Sequence, residues 1–286
     1  MKEKPWVTLI FLLPACSLLG GFVLYPAAQA LWLSFTDYNM ITPTRFVGVD
    51  NYARLAADPF FWAALRNSLL YLVVVVPLLV LLPIVLAVGV NAALPGIRLF
   101  RALFYLPVVT SLVISGLIWK WVYEEKGLLN HALLAVGLVD TPVAFLTDPG
   151  VAIFAVMAVT LWSGMGYYMI IYLAGLQGIP RSLYEVAALE GVSAWQQFWH
   201  ITVPLLRPSM AIVAVMSSIA AMKVFEEIYV MTQGGPMAAT KTLVYFIYET
   251  AFVEFEMGQA AAAGMALFVI TLALSLLQLR LLRKKA

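Results

Sequence analysis

The chain has 286 residues, of which 63% are hydrophobic and 11% are charged, and its formal net charge at pH 7 is +2. A soluble globular protein carries about 25% charged residues, so this composition excludes a soluble globule and indicates a membrane protein. So small a net charge gives no support for nucleic-acid binding. The single cysteine, Cys16, excludes a disulfide framework or a cysteine metal site within the chain.

Six apolar runs are long enough to cross a hydrocarbon core of about 30 Å. They predict an all-α, polytopic membrane protein with six transmembrane helices. The predicted spans are residues 6–35, 69–93, 102–123, 151–173, 210–231 and 260–282. The start of the first span imitates a signal peptide, but its apolar run is longer than a signal h-region, so we expect this span to be retained.

Basic residues fall mainly on one side of the six predicted spans. The positive-inside rule therefore places both termini in the cytoplasm. The basic residues on the terminus side are Lys2, Lys4, Arg98, Arg101, Arg181, Arg207, Arg280, Arg283, Lys284 and Lys285, and those opposite are Arg45, Arg54, Arg66, Lys126 and Lys241.

The spacing of the spans predicts two parts. Residues 1–65 form a first transmembrane helix and an outer loop, with a short surface helix around residues 51–57. Residues 66–282 form a transmembrane core. In its second outer loop, the apolar stretch 128–138 is too short to cross the membrane.

A polar segment, residues 177–208, lies between the fourth and fifth spans and has the pattern of a helix, a glycine and a second helix. Ser182 precedes Glu185 by three residues and Ser193 precedes Gln196 by three, so each half is predicted to open with a capping box. Gly191 suits a left-handed turn between the halves.

The first half of this elbow also has features of a docking site. Ala187 and Ala188 add little bulk, so a partner backbone could approach closely, and Glu185 adds a carboxylate beside them. Pro180 precedes the first helix, and Pro204 and Pro208 are predicted to end the second.

The elbow resembles the E-A-A…G…F…I-x-L-P…P pattern of membrane subunits of ATP-binding-cassette (ABC) importers. The matching residues are Glu185, Ala187, Gly191, Phe198, Ile201, Pro204 and Pro208, and the departures are Val186, Glu190 and Val203. The resemblance implies that residues 182–191 are a coupling helix, with Glu185, Ala187, Ala188, Gly191 and Pro204 serving contact with a cytoplasmic ATPase. An interfacial helix without a partner is the alternative.

Ionisable residues in the fifth span mark a second candidate site, because a charge inside a membrane costs about 2.5 to 3.5 kcal/mol on insertion scales. Lys223 lies roughly 22 Å along the helix from Pro208, at about 1.5 Å per residue. Glu226 and Glu227 follow at helical spacing and can pair with it. A structural ion pair and a lining of the translocation path both remain open.

The segment that begins at Lys223 resembles the K-V-F-D-x-I-Y-V-x-T-x-G-G-P signature of carbohydrate-importing permeases of the same superfamily, with Glu226 in place of Asp. The resemblance implies a sugar substrate. Tyr229, Tyr167 and Trp162 are candidates to stack on sugar rings in the path. As an alternative, such aromatics belong to the interfacial belt.

Taken together, the two motifs imply the permease subunit of an ABC importer for a sugar or oligosaccharide. The resemblance implies two ATPase subunits, a second homologous permease and an extracytoplasmic solute-binding protein as partners, in contact with membrane lipid. It also implies a multi-pass protein of a bacterial or archaeal cell (inner) membrane. ATP is then bound by partner subunits and no cofactor by this chain. Neither a catalytic constellation nor a metal motif is evident. The rivals are an ABC permease for glycerol phosphate or a polyamine, an ion-coupled carrier, and a scaffold protein.

Overall fold

The computed structural model describes residues 5–91 and 95–283. Helices dominate this part of the chain, which contains no strand beyond a single bridge between Thr36 and Phe46. The all-α prediction is therefore confirmed. Of the residues used to orient the chain, Lys2, Lys4, Lys284 and Lys285 lie outside the described residues, as does the predicted end of the second span at Ala93.

Fifteen α-helices follow one another along the described chain, with π-helical turns at Gly20–Leu24 and Phe198–Thr202. They are α1 Pro5–Leu19, α2 Tyr25–Leu33, α3 Asp50–Ala57, α4 Pro59–Asn91, α5 Ile97–Val109, α6 Leu112–Val122, α7 Leu128–Ala135, α8 Ala152–Gln177, α9 Arg181–Leu189, α10 Ala194–Gln197, α11 Val203–Leu205, α12 Arg207–Met222, α13 Glu226–Met231, α14 Leu243–Phe252 and α15 Met257–Arg283. The surface helix predicted around residues 51–57 is α3.

Five stretches of the described chain are long and apolar enough to cross a membrane, and one bent pair of helices is a sixth candidate. The prediction of a polytopic, six-span protein is therefore confirmed. The five are Ile10–Leu33, Pro59–Asn91, Ala152–Gln177, Arg207–Met231 and Met257–Arg280, and the bent pair is Ile97–Val109 with Leu112–Val122.

The third predicted span is not one continuous helix. α5 and α6 meet at an angle of 99°, and Thr110 between them has an extended backbone. Pro107 supplies a physical reason, since it lacks an N–H and its ring crowds the preceding turn. The Thr110 hydroxyl donates to the Leu106 carbonyl at 3.0 Å, which provides a partner for a carbonyl near the end of α5.

The fifth predicted span is also interrupted. α12 ends at Met222, Lys223 and Phe225 leave helical geometry, and α13 begins at Glu226. The Thr242 hydroxyl donates to the carbonyl of Val224 at 3.0 Å, so the break has a partner within the protein. Irregular backbone at membrane depth is tolerated where protein or a cavity surrounds it.

The described residues divide into two compact units, one within residues 5–62 and 246–270 and the other within residues 63–91, 95–245 and 271–283. In the first unit, buried Asn51 donates to the carbonyls of Ser34 and Thr36 at 2.8 and 2.7 Å. Arg54 bonds Asn51 and pairs with Glu256 at 3.1 Å. These bonds join the loop after α2, the helix α3 and the start of α15.

The second unit is built around α8, the most buried of its long helices. Tyr172 of α8 donates its hydroxyl to the Val80 carbonyl of α4 at 3.0 Å. Tyr123, just after α6, donates to the Ala155 carbonyl of α8 at 3.1 Å. Hydrogen bonds from buried tyrosine hydroxyls therefore join α8 to α4 and the end of α6 to α8.

The close approach of α5 to α8 depends on Gly166. A Cβ added at Gly166 would collide with the Phe104 carbonyl and press on the Val108 side chain, whereas one added at Gly89 of α4 would meet nothing within 4 Å. We therefore expect Gly166→Ala to lower the free energy of unfolding by about 1–3 kcal/mol through overpacking. Gly89→Ala is the matched control and is expected to be neutral or stabilising because alanine favours helix. Thermal unfolding in detergent compares the two, and equal midpoints would contradict the packing argument.

Candidate functional site

A cavity of about 530 Å³ opens beside the break between α12 and α13. Its walls come from α4, the α5–α6 bend, α8, α12 and the break itself. Its polar lining comprises Thr110, Thr160, Ser163, Tyr167, Tyr168, Ser217, Lys223, Glu226 and Glu227. The remaining lining is apolar, so hydroxyls and charges of both signs face a space large enough for a small molecule.

Glu227 is held in the cavity wall by a chain of hydrogen bonds. The residue is 4% exposed, and its carboxylate accepts a hydrogen bond from the Thr160 hydroxyl at 3.1 Å. The same Thr160 oxygen lies 2.8 Å from the hydroxyl of fully buried Tyr71. This Tyr71–Thr160–Glu227 chain joins α4, α8 and α13.

The structural ion pair is the wrong alternative, because Lys223 makes no ion pair with Glu226 or Glu227 among the described side chains. The prediction assumed a continuous helix, but the break at residues 223–225 removes the helical spacing that would bring the side chains together. Lys223 and Glu226 are both exposed and line the cavity, while Glu227 turns to Thr160.

The three aromatic candidates lie in different places. Tyr167 lines the cavity and is 40% exposed. Trp162 is not in the lining and packs edge to face on Trp119 at 5.5 Å. Tyr229 also lies outside the lining and stacks on Phe225 at 5.4 Å. The geometry therefore brings Tyr167 together with Lys223 and Glu226, and leaves the other two aromatics apart.

Sequence reasoning missed Thr160 and Tyr71. Thr160 lines the cavity and bonds both Tyr71 and Glu227. An isolated polar side chain within an apolar span is the signal that could have identified them. That signal is weak, because a threonine hydroxyl in a helix can be satisfied by its own backbone, as Ser217 is by the Val213 carbonyl at 2.7 Å.

The corner of the elbow has the predicted geometry. Gly191 has φ +77°, in the left-handed region that glycine occupies without a Cβ penalty. Ser193 and Gln196 form the predicted capping box at the start of α10. The box predicted at Ser182 is wrong, because α9 already begins at Arg181 and its N-cap is Pro180, whose fixed φ suits that position.

Pro208 opens a helix instead of ending one, contrary to the prediction, since it stands in the first turn of α12, where its missing N–H has no helical partner in any case. Pro204 does not end the second helix either, because it lies within a helical run that continues from α10 through the π-helical turn to Leu205. The second limb of the elbow therefore continues in short helical pieces into the fifth span.

The outer face of α9 is apolar and carries Glu185. Leu183, Val186 and Leu189 are 43%, 56% and 88% exposed and recur every three residues. Glu185 and Ala188 are exposed beside them. Ala187 differs from the prediction because it is 8% exposed and faces inward. It shares its face with Tyr184, whose hydroxyl lies 2.9 Å from that of Thr202.

Comparison with known proteins identifies the family. Residues 55–286 match the model of the binding-protein-dependent transport system inner membrane component. The chain is 36% identical over 283 residues to the lactose transport system permease protein LacF of Rhizobium radiobacter, covering 96% of this chain and 94% of that one. It is 37% identical over 284 residues to a probable ABC transporter permease protein, YurN, of Bacillus subtilis, covering 98% and 97%.

A more distant relative is the sn-glycerol-3-phosphate transport system permease protein UgpA of Yersinia pestis, 29% identical over 283 residues, covering 98% and 95%. Among solved structures, a bacterial ABC transporter involved in the import of the acidic polysaccharide alginate matches with a TM-score of 0.83 and 26% identity, covering 98% and 96%. The chain therefore belongs to the family of inner membrane components of binding-protein-dependent transport systems, which are multi-pass membrane permeases of ABC importers and not enzymes.

Proposed function

We propose that this chain forms part of the translocation path for a sugar or oligosaccharide and couples it to separate ATPase subunits. The cavity of about 530 Å³ at the α12–α13 break carries the proposal. Its hydroxyls, its ammonium and its carboxylates can exchange hydrogen bonds with sugar hydroxyls, and Tyr167 offers a ring to a sugar face. Lys223, Glu226 and Tyr167 are the proposed contacts. Trp162 and Tyr229 are weaker candidates, because they lie outside the cavity lining.

The elbow is the proposed coupling element. Its apolar outer face with Glu185, and the fixed corner at Gly191, suit insertion into a partner cleft. In this proposal the termini and the elbow are cytoplasmic, two ATPases bind all the ATP, and a second homologous permease completes the path. A solute-binding protein delivers the substrate from outside, and one fold relative was solved with a periplasmic protein bound to an alginate pentasaccharide.

The break at residues 223–225 connects the two sites. α12 begins at Arg207, in the last residues of the elbow, and ends at the cavity. A displacement of the elbow on ATPase closure would therefore reach the cavity along α12, because a packed helix moves as a rigid body. Thr160 of α8 bonds Glu227 of α13. In this proposal, that bond determines whether α13 stays with α8 or moves with α12.

A glycerol phosphate is the second candidate substrate. Lys223 favours it, since an ammonium without an ion pair among the described side chains can bind a phosphate. The relationship to the glycerol-3-phosphate permease named above points the same way. Glu226 opposes it, because a carboxylate in the same cavity repels an anion.

The test is ATP hydrolysis by the reconstituted complex in the presence of a panel of sugars and glycerol 3-phosphate. We expect a sugar, delivered by the binding protein, to stimulate hydrolysis and to enter proteoliposomes only with ATP. Lys223→Met is expected to change the concentration of sugar that gives half-maximal stimulation. Uptake that needs an ion gradient and no ATPase would overturn the proposal in favour of an ion-coupled carrier, and stimulation by glycerol 3-phosphate alone would reassign the substrate.

A further inference from the structure

A second cavity, which we call the α6–α13 cavity, lies where α6 and α13 end. It measures about 580 Å³ and includes Lys120 and Tyr123 from the end of α6, Met231 and Thr232 from the end of α13, and Phe145 from the loop before α8. None of these residues lines the cavity at the break, so the two spaces are distinct.

The two cavities lie at opposite ends of the same pair of helices. Leu112, at the start of α6, and Glu226, at the start of α13, line the first cavity, whereas the ends of both helices line the second. At about 1.5 Å per residue, α13 separates the two by roughly 8 Å. Between them the helices pack tightly, since a Cβ on Gly116 would come within 3.2 Å of the Val230 side chain.

The α6–α13 cavity carries polar groups that the protein leaves unused. Lys120, Glu124 and Glu125 line it and are exposed. Within the described part of the chain their side chains make no ion pair or hydrogen bond, even though Lys120 and Glu124 are four residues apart. The helix ends at Val122, so Glu124 lies past the last turn, where helical spacing no longer applies.

Hydrogen bonds fix the backbone at Glu124. Fully buried Asn130 donates to the carbonyls of Glu124 and Val143 at 3.1 and 3.0 Å and accepts from the Val143 N–H at 2.8 Å. Phe145, two residues on, packs on Tyr123 with the ring centroids 5.1 Å apart. The Phe145 ring and the backbone of Glu124 are thus held before any ligand binds, which lowers the entropy that binding must overcome.

We propose that the α6–α13 cavity binds a pyranose ring of an uncharged sugar, in series with the cavity at the break. This inference rests on the proposed function and deepens it. The Phe145 ring can cover an apolar sugar face, and the two carboxylates and the ammonium can bond hydroxyls. Two carboxylates against one ammonium leave the site net negative, so a uronic acid, sulfonate or phosphate is repelled. At the break, Lys223 shares the lining with the carboxyl groups of Glu226 and Glu227, so that cavity adds no net attraction for an anion.

The experiment measures equilibrium binding of labelled lactose and maltotriose, and of an alginate trisaccharide as the acidic probe, to the full transporter complex without its binding protein. In the double variant Glu124→Gln, Glu125→Gln we expect the Kd of the neutral sugar that binds wild type best to rise about tenfold. Binding of the alginate trisaccharide should rise relative to the neutral sugar, because the repulsive charge is gone. Asp140→Asn is the matched control, since Asp140 is an exposed carboxylate in the same loop region but outside the cavity lining.

Three results would overturn the inference. The first is an unchanged Kd for the neutral sugar in the double variant, and the second is an equal change in Asp140→Asn. The third is loss of the second permease from the complex, which would assign the cavity to a protein contact. ATP-dependent sugar uptake by the same preparations separates this inference from the proposed function, because uptake that persists with an unchanged Kd leaves the function standing and removes only the second site.

Discussion

Glu185→Lys is expected to abolish sugar-stimulated ATP hydrolysis and to leave the permease folded. Glu185 is exposed on α9 next to three exposed apolar side chains, so it contributes nothing to the interior of the chain. If this face enters an ATPase cleft, the reversed charge is buried against groups that suit a carboxylate. Truncating one partner of such a pair costs about 2–5 kcal/mol, and each 1.4 kcal/mol is tenfold in affinity. We therefore expect binding of the ATPase to weaken by about 30-fold or more.

The measurement is co-purification of the ATPase with the tagged permease, followed by hydrolysis assays on whatever complex remains. Glu185→Gln keeps the shape and removes the charge, so an intermediate loss is expected. Asp140→Lys reverses a charge in the loop region before α8 and should retain the ATPase fully. Intact stimulation in Glu185→Lys would remove the elbow from the coupling mechanism and bring the ion-coupled carrier forward.

Hydrophobic patterning predicted the helical fold because a span needs only length and apolar composition. It did not predict the two breaks. Pro107 signals one of them, but a proline is compatible with a kinked helix as well as with a bend of 99°. The break at residues 223–225 depends on the Thr242 hydroxyl, eighteen residues further on, and local sequence gives no sign of that partner.

The charged lining of the candidate site could be predicted, because it depends only on which residue types occur within an apolar span. A lysine and two glutamates in an apolar span must face a cavity or a partner, and Lys223 and Glu226 do line the cavity. Which residue bonds which was not predictable, because helical spacing gave Glu226 or Glu227 as a partner of Lys223, and the structure gives Thr160 as the partner of Glu227. At the elbow, the left-handed turn at Gly191 could be predicted from backbone sterics. The burial of Ala187 could not, because it depends on how α9 packs.

Thr160→Val is expected to disrupt both sugar response and stability, since Thr160 is the shared partner in the Tyr71–Thr160–Glu227 chain. Valine keeps the shape and removes the hydroxyl, which leaves the Tyr71 hydroxyl and the Glu227 carboxylate without this partner. A hydrogen bond between membrane helices averages only about 0.6 kcal/mol. A buried polar group left unsatisfied costs about 1–3 kcal/mol, and more if charged. The second effect dominates here because Glu227 is 4% exposed.

The thermal unfolding midpoint and the half-saturating sugar concentration should therefore both change in Thr160→Val and recover in Thr160→Ser, which restores the hydroxyl. A double-mutant cycle with Tyr71→Phe isolates the bond between Tyr71 and Thr160. If the chain holds α13 to α8 as a unit, Tyr71→Phe will have less effect in the Thr160→Val background than in wild type, because its partner is already gone. Strict additivity of the two substitutions would mean that the Tyr71 hydroxyl does not support the bond between Thr160 and Glu227, and α13 would then be held to α8 without help from α4.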